Sequence, residues 1–306
     1  MRQEGIPPTL FCYKLFAFNM KVNKKQEENL GGNPSPLFEL GFLTKIEYTS
    51  YMETEYHLKK DSKITIVFVH GIIGSPVRFK DLFPLVPEDI SSIEVVLDGH
   101  GKEAKDFGKT NRKKWEEQVH NILMEQKEKH QKILYVGHSM GCLFGMRESL
   151  LSLVDYLFLL NVPTRPKLGY TTIKECLKCA FGKEENYDFL TPIFLENCSI
   201  QMTKNPFIYL TWIPRFFDLF KEIKLTKKII PEVKVPTICF HSEKDELVRQ
   251  KALKDLKRNP SFDIHVLKDS GHYYLPEPSL NEMKEEFIKS IEYMRNLANN
   301  KEKQPE

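Results

Sequence analysis

The sequence predicts an α/β fold, with a mostly parallel central sheet and helices on both of its faces. Three observations predict it. Short apolar runs that end in turn residues recur along the chain, as strands buried on both faces do. Segments with helical spacing of apolar residues separate them. One long stretch, residues 164–232, breaks the alternation and is rich in aromatic residues.

The elements follow in order. From Thr44, "KIEYTSYMETEYHLKK" alternates polar and apolar residues, which predicts a β-hairpin or two edge strands. "KITIVFVHG" (Lys63 to Gly71) is a continuous apolar run closed by glycine, and "SIEVVLDGHG" (Ser92 to Gly101) is a second. In "NRKKWEEQVHNILMEQKEKH", Trp115, Val119, Ile122 and Leu123 fall at helical spacing among charges, so an amphipathic helix is expected over Asn111 to His130. "KILYVG" is the third strand, and a helix follows Ser139. "VDYLFLLNVP" (Val154 to Pro163), "VPTICFHS" (Val235 to Ser242) and "SFDIHVLKDS" (Ser261 to Ser270) are the fourth, fifth and sixth. "SLNEMKEEFIKSIEYMRNLANN" closes the chain as a helix. Residues 164–232 read as short helices inserted before the penultimate strand. The expected division is an N-terminal arm (1–43), a core (44–163 and 233–299), the insertion (164–232) and a disordered tail (300–306).

Composition bounds the function. At 306 residues, 41% hydrophobic and 28% charged, the chain can bury a sizeable core. A formal charge of +3, with lysines and arginines scattered through "KVNKK", "NRKKW" and "LKRNP", gives no clustered basic stripe, so nucleic acid is not an expected partner. Six cysteines (Cys12, Cys142, Cys176, Cys179, Cys198, Cys239) are too dispersed for a disulfide scaffold. "CLKC" at Cys176 and Cys179 lacks a second pair or nearby histidines, so two thiols on one helix face are expected rather than a metal site. "NCS" at Asn197 matches a glycosylation triplet that carries meaning only in a secreted protein. No apolar run approaches the roughly 18–20 residues of a membrane span. "TLFCYKLFAFNM" is apolar but interrupted by Lys14 and lacks a cleavage site, so a cytoplasmic location is the default expectation. "KVNKKQEENLGGNPSP" reads as a polar linker, and Met20 is an alternative start.

One motif carries chemistry. "GHSMG", Gly137-His138-Ser139-Met140-Gly141, fits G-x-S-x-G where a buried strand turns into a helix. A serine hydroxyl is a weak nucleophile until a base takes its proton. A sharp strand-to-helix turn lifts that side chain above the sheet edge, and small flanking residues permit the turn. The helix that follows brings unpaired backbone N–H groups close to the serine, suited to a developing oxyanion.

From Ile64 to Leu297 the chain resembles the α/β-hydrolase superfamily, and within it the monoacylglycerol lipase and bacterial carboxylesterase (serine aminopeptidase-like) group. The resemblance rests on the elbow, on "VHGIIGSP", which is similar to the family's HG-x-x-G-S stretch, and on "DGHG", which is similar to its PGHG loop. It implies a Ser–acid–His order. Asp245 in "SEKDELV", through its D-x-x-V spacing to Val248, would be the acid, with Glu243 and Asp269 as competitors. His272 in "DSGHYY" would be the base. Backbone N–H groups of Ile72 and Met140 would form the oxyanion hole. His138 is set aside because side chains adjacent at the elbow diverge, His100 is read as structural, and His57, His120, His130, His241 and His265 as surface or packed residues without a metal pattern. The resemblance further implies that residues 164–232 form a cap, that no cofactor or metal takes part, and that the substrate is a small-molecule or lipid ester with an apolar acyl part. A cap of this composition extends the reading to peripheral lipid contact. The chain departs from the pattern at Asp98, where proline is usual, and at Cys142, where a third glycine is common. An acyltransferase, thioesterase or peptidase would use the same residues, and a non-catalytic binding module would keep only the fold.

Overall fold

A computed structural model describes residues 52–129, 131–167, 178–183 and 187–300. The chain divides into two compact units, Met1–Thr49 and Ser50–Glu306, and all described residues belong to the second. The predicted arm, the linker, Met20, Cys12, His130, Cys176 and the tail from residue 301 lie outside the described residues.

Continuous apolar runs become strands buried along their length, save for the half-buried first residues Lys132 and Tyr156. These are β2 (Ile64–Val69), β4 (Lys132–His138), β5 (Tyr156–Leu160) and β6 (Thr237–Ser242). They form the middle of a seven-stranded sheet with β1 (Glu55–His57), β3 (Ser91–Val95) and β7 (Phe262–Leu267), in the order β1-β3-β2-β4-β5-β6-β7. All pairs are parallel except β1 with β3. Parallel central strands need cover on both faces, and their sequences show it. β7 at one edge mixes buried and exposed positions, and β1 at the other is exposed throughout. Of the two edge strands or hairpin expected from Thr44, one short strand lies within the described residues; the part of that stretch up to residue 51 lies outside them.

Side chains alternate across each strand, so the sheet separates two cores. Val67, Val69, Tyr135, Leu157 and Leu159 face one side. There they meet Trp115 and Leu123 of α2 (Arg112–Glu128) and Leu143 and Phe144 of α3 (Met140–Leu150). Ile66, Phe68, Leu134, Val136, Phe158 and Phe240 face the other side. They pack on Phe79, Leu82 and the closing helix α8 (Glu277–Asn300) through Met283, Phe287, Ile291 and Met294. The ring of Phe287 lies edge-on to Phe158 at 5.5 Å and tilted against Phe68 at 6.1 Å. A short helix, α1 (Ala104–Lys109), precedes α2 and was not expected from the periodicity. Asn111 caps α2, its side chain accepting from the Lys114 N–H at 3.2 Å.

Between β5 and β6 the described residues hold α4 (Leu190–Asn197), α5 (Pro206–Leu210) and α6 (Ile213–Ile229), followed by α7 (Ala252–Leu256) after β6. The helical insertion before the penultimate strand is therefore present. Trp212 holds it down: its indole N–H donates to Ala104 O at 2.7 Å, and its ring meets Phe107 edge-on at 4.8 Å. Farther along α6, the buried Glu222 accepts from Arg112 of α2 and Arg147 of α3, each at 3.0 Å, and Arg147 also reaches Glu116. A buried carboxylate survives there because two guanidinium groups surround it. Asn197 of the "NCS" triplet is 5% exposed, with its amide turned inward onto Ile193 O.

The packing gives a direct contrast. Phe287→Ala removes a fully buried ring and is expected to lower stability by about 3–5 kcal/mol. Phe207→Ala removes a side chain that is 74% exposed and should change stability by no more than about 0.5 kcal/mol. Urea unfolding of both variants beside the wild type measures the two; equal losses would contradict the packing described.

Candidate active site

The elbow is built as its sequence implies. β4 runs to His138 and α3 begins at Met140, leaving Ser139 alone at the turn with φ 51° and ψ −118°. That conformation is sparsely populated for a residue with a Cβ and costs of order 1–3 kcal/mol. Packing on both sides enforces it. A Cβ on Gly141 would sit 2.0 Å from Val69 O, so only glycine lets α3 approach β2. A Cβ on Gly71 would meet the Ser139 Cβ at 2.8 Å and its Oγ at 3.4 Å. The loop after β2 therefore passes directly over the serine. Gly137 closes the motif against the first turn of α3. The Ser139 N–H donates to Leu160 O at 2.9 Å, tying the turn to the end of β5.

His272 and Asp245 come together at the same sheet edge. Asp245 is fully buried and His272 is 1% exposed. The His272 Nδ1 donates to Asp245 Oδ2 at 2.8 Å. The other carboxylate oxygen accepts from Leu247 N–H at 2.7 Å and Val248 N–H at 2.6 Å. Burial alone would raise the acid, but the adjacent His272 and the backbone donors hold it below the usual carboxylate range. Asp245 thus stays ionised and fixes the proton of His272 on Nδ1, leaving Nε2 as the basic nitrogen. The two competing acids turn elsewhere: Asp269 pairs with Lys244 at 2.5 Å, and Glu243 accepts from the Asp269 N–H at 3.1 Å. Ser139 Oγ makes no hydrogen bond to His272 in this conformation; such bonds are often long before substrate binds.

Three groups that the sequence reading did not assign to the site support His272. His138, expected to diverge from the site, lies with its ring 4.7 Å from that of His272 and donates through Nε2 to His272 O at 3.1 Å. Burial holds it neutral, well below the usual histidine range. Asn161, at the end of β5, donates to the same carbonyl at 3.2 Å and accepts from Ser242 N–H at 2.8 Å. Glu246 accepts from the His272 N–H at 2.9 Å. Asn161 was visible as the one amide in "LLNVP", directly after an apolar run; Glu246 carried no signal.

The loop with Ile72 is locked by two neutral histidines. His70 accepts from the Leu97 N–H through Nε2 at 3.1 Å and donates through Nδ1 to Gly71 O at 2.7 Å. His100 accepts from the Ile73 N–H through Nε2 at 3.1 Å, and the two rings meet edge-on at 4.8 Å. Ile73 is held at φ 63°, unusual for a β-branched residue. Ser199 adds a donor to Gly74 O at 2.5 Å. Both departures noted at Asp98 and Cys142 are accommodated. Asp98 uses an N–H that proline lacks, donating to Gln118 at 2.7 Å, and the Cys142 thiol lies 3.2 Å from the carbonyls of Gly137 and Leu160. His120 and His265 pair with Glu148 and Glu282, His57 lies near Glu55 and Glu94, and His241 is buried. Among the described residues no group of acids, cysteines and histidines could hold a metal ion.

No protein-family model matches the chain, and neither does any curated protein. Solved structures do match it. A lipase-esterase related protein from Clostridium acetobutylicum ATCC 824 is 20% identical with a TM-score of 0.54, over 77% of this chain and 98% of that one. A metagenome-derived lipolytic enzyme, described with LipS and LipT, is 16% identical with a TM-score of 0.57, over 80% and 97%. The chain has the α/β-hydrolase fold. A monoacylglycerol lipase from Paleococcus ferrophilus is also similar, at 16% identity and a TM-score of 0.51, over 81% and 99%. In this α/β-hydrolase fold the turn at Ser139, the acid loop after β6 and the histidine loop after β7 all lie at the carboxyl ends of parallel strands, where open α/β sheets place their sites.

The buried histidines predict an acid response. Burial lowers His70 to about 4, whereas the unfolded chain keeps the ordinary value near 6.5. Between those values the unfolded state binds the extra proton, so the stability that His70 contributes falls as pH drops from about 6.5 to about 4. Urea unfolding at stepped pH should show the wild type losing its advantage over His70→Asn across that window, by up to about 1.4 kcal/mol per pH unit. A constant difference would show that His70 is not held neutral.

Proposed function

We propose that this protein is a serine hydrolase of carboxylic esters that works through an acyl-enzyme on Ser139. The observation that carries the reading is the buried Asp245–His272 pair facing an edge where a strained serine is presented under Gly71. His272 Nε2 takes the Ser139 proton as the hydroxyl oxygen attacks the ester carbonyl. Negative charge then develops on the carbonyl oxygen, and the N–H groups of Ile72 and Met140 receive it. Neither N–H is consumed by a hydrogen bond among the described residues. His272 returns the proton to the leaving alcohol, and a water molecule repeats the sequence to release the acid. The chemistry needs no cofactor.

The apolar acyl preference follows from what lies around the loop. Ile72 and Ile73 belong to the same apolar cluster as Met202, Ile208, Phe216 and Phe220 of the insertion. The rings of Phe194 and Phe189 on and beside α4 meet Tyr273 and Tyr274, at 5.0 and 5.2 Å, so the insertion covers the histidine loop. Water excluded there strengthens the charge interactions of the reaction. Phe207, Leu210, Ile213 and Phe217 remain exposed on the outer side of the insertion, which supports contact with lipid as the substrate arrives. No described helix is long and apolar enough to cross a membrane.

A fluorophosphonate probe should label the wild-type protein and fail to label Ser139→Ala or His272→Ala. Asp245→Asn should keep the fold and lower kcat about a thousandfold to ten-thousandfold on a p-nitrophenyl ester. Correctly folded wild-type protein that takes no label would sink the enzyme reading. Transfer of the acyl group to an added alcohol in preference to water would assign an acyltransferase to the same triad.

A further inference from the structure

Among the described residues, one buried cation beside the site has no partner. Arg78 sits in the short 3-10 turn Pro76–Phe79, just beyond the oxyanion loop, and is 6% exposed. Its Nε is buried without a hydrogen bond, and no carboxylate lies within ion-pair distance of its guanidinium among the described residues. An unpaired buried guanidinium is costly, and proteins ordinarily surround one with acceptors. The acids within its electrostatic reach, Asp81, Asp245 and Glu246, do not pair with it. Asp245 is committed to His272 and two backbone donors, and Glu246 to the His272 N–H. The adjacent Lys80 has a partner, Glu196 of α4. Arg78 was therefore left without an acceptor in a neighbourhood where acceptors are present.

Its turn lies beside the histidine loop: α4 pairs through Glu196 with Lys80, two residues after Arg78, and sets Phe194 on Tyr273 at 5.0 Å, whose ring is 4.9 Å from that of His272. The guanidinium is close enough to act electrostatically on Tyr273 and His138, whose rings flank His272. The leaving oxygen has to reach His272 to collect its proton, so the alcohol half of an ester comes to rest by these groups. The Ser75 hydroxyl, three residues before Arg78, is likewise buried without a partner. Two donors of this one turn, the Arg78 Nε and the Ser75 hydroxyl, are thus buried without an acceptor among the described residues.

We propose that Arg78 binds an oxyanionic group, a phosphate or a carboxylate, on the alcohol part of the ester, so that the favoured substrates are acyl esters of anionic alcohols. This rests on the serine-hydrolase reading above. A guanidinium presents paired donors that match either oxyanion, and the ligand supplies the charge that the chain withholds.

The test compares three octanoyl esters: 1-octanoylglycerol, 1-octanoylglycerol 3-phosphate and O-octanoylglycerate. The wild type should show a lower KM for the phosphate or the carboxylate ester than for the neutral one, and which of the two is preferred identifies the group. Arg78→Gln should raise KM for that anionic ester about tenfold to a hundredfold with kcat within about twofold, and leave the neutral ester unchanged. Arg78→Lys, which keeps the charge and loses the fork, should recover part of the affinity. Labelling by a neutral fluorophosphonate separates the two readings. A labelled wild type that shows no preference for the anionic esters, or an Arg78→Gln loss equal on all three, overturns the role of Arg78 alone. A wild type that takes no label overturns both. Thermal melting of Arg78→Gln should match or exceed the wild type, because a neutral amide removes a costly buried charge.

Discussion

The rest of the molecule depends on how closely α3 approaches β2. The contact of Gly141 with Val69 O leaves no room for a side chain, and it fixes the height at which β4 must turn into the helix. Ser139 takes up the strain with a positive φ, and the strain persists because cores on both sides of the sheet over-determine the backbone around it. The same approach brings the loop after β2 across the serine. Position, exposure and the supply of free N–H groups at one point all come from a single packing distance.

Around that point the protein uses neutral histidines as struts. His70, His100 and His138 each employ a ring nitrogen to satisfy or hold a backbone group, and burial keeps all three uncharged. Of the four histidines at this edge, only His272 faces a carboxylate at hydrogen-bond distance. Four histidines within one sheet edge are thus sorted by their partners. The sorting follows from geometry rather than from residue type.

Much of this was legible in the sequence because periodicity and motif order are local properties. Buried parallel strands announced themselves as unbroken apolar runs, and "GHSMG" at a strand-to-helix junction marked the nucleophile candidate. The D-x-x-V spacing of Asp245 to Val248 favoured Asp245 over Glu243 and Asp269 by resemblance; that the Val248 N–H binds its carboxylate is seen only in the structure. What local pattern does not encode is which distant groups meet. His138 stands next to Ser139 in sequence, and its work for His272 appears only when residue 272 folds back onto it. Glu246 and Asn161 are ordinary loop residues until the carbonyl and N–H of His272 arrive beside them. The helix α1 was missed because six residues containing a glycine carry too little periodicity to register.

The placement of α4 has a further consequence. Its Phe194 lies on Tyr273 of the histidine loop, its Glu196 pairs with Lys80 just past the oxyanion loop, and Ser199 after it donates to Gly74. One short helix therefore touches both halves of the site at once. Displacing it would break the Phe194, Glu196 and Ser199 contacts together and so loosen the histidine loop and the loop after β2 at once. On the function proposed above, an acyl chain that pushed α4 aside would slacken the very groups assigned to act on it, and the chain length accepted beneath α4 would be tied to the order of those groups.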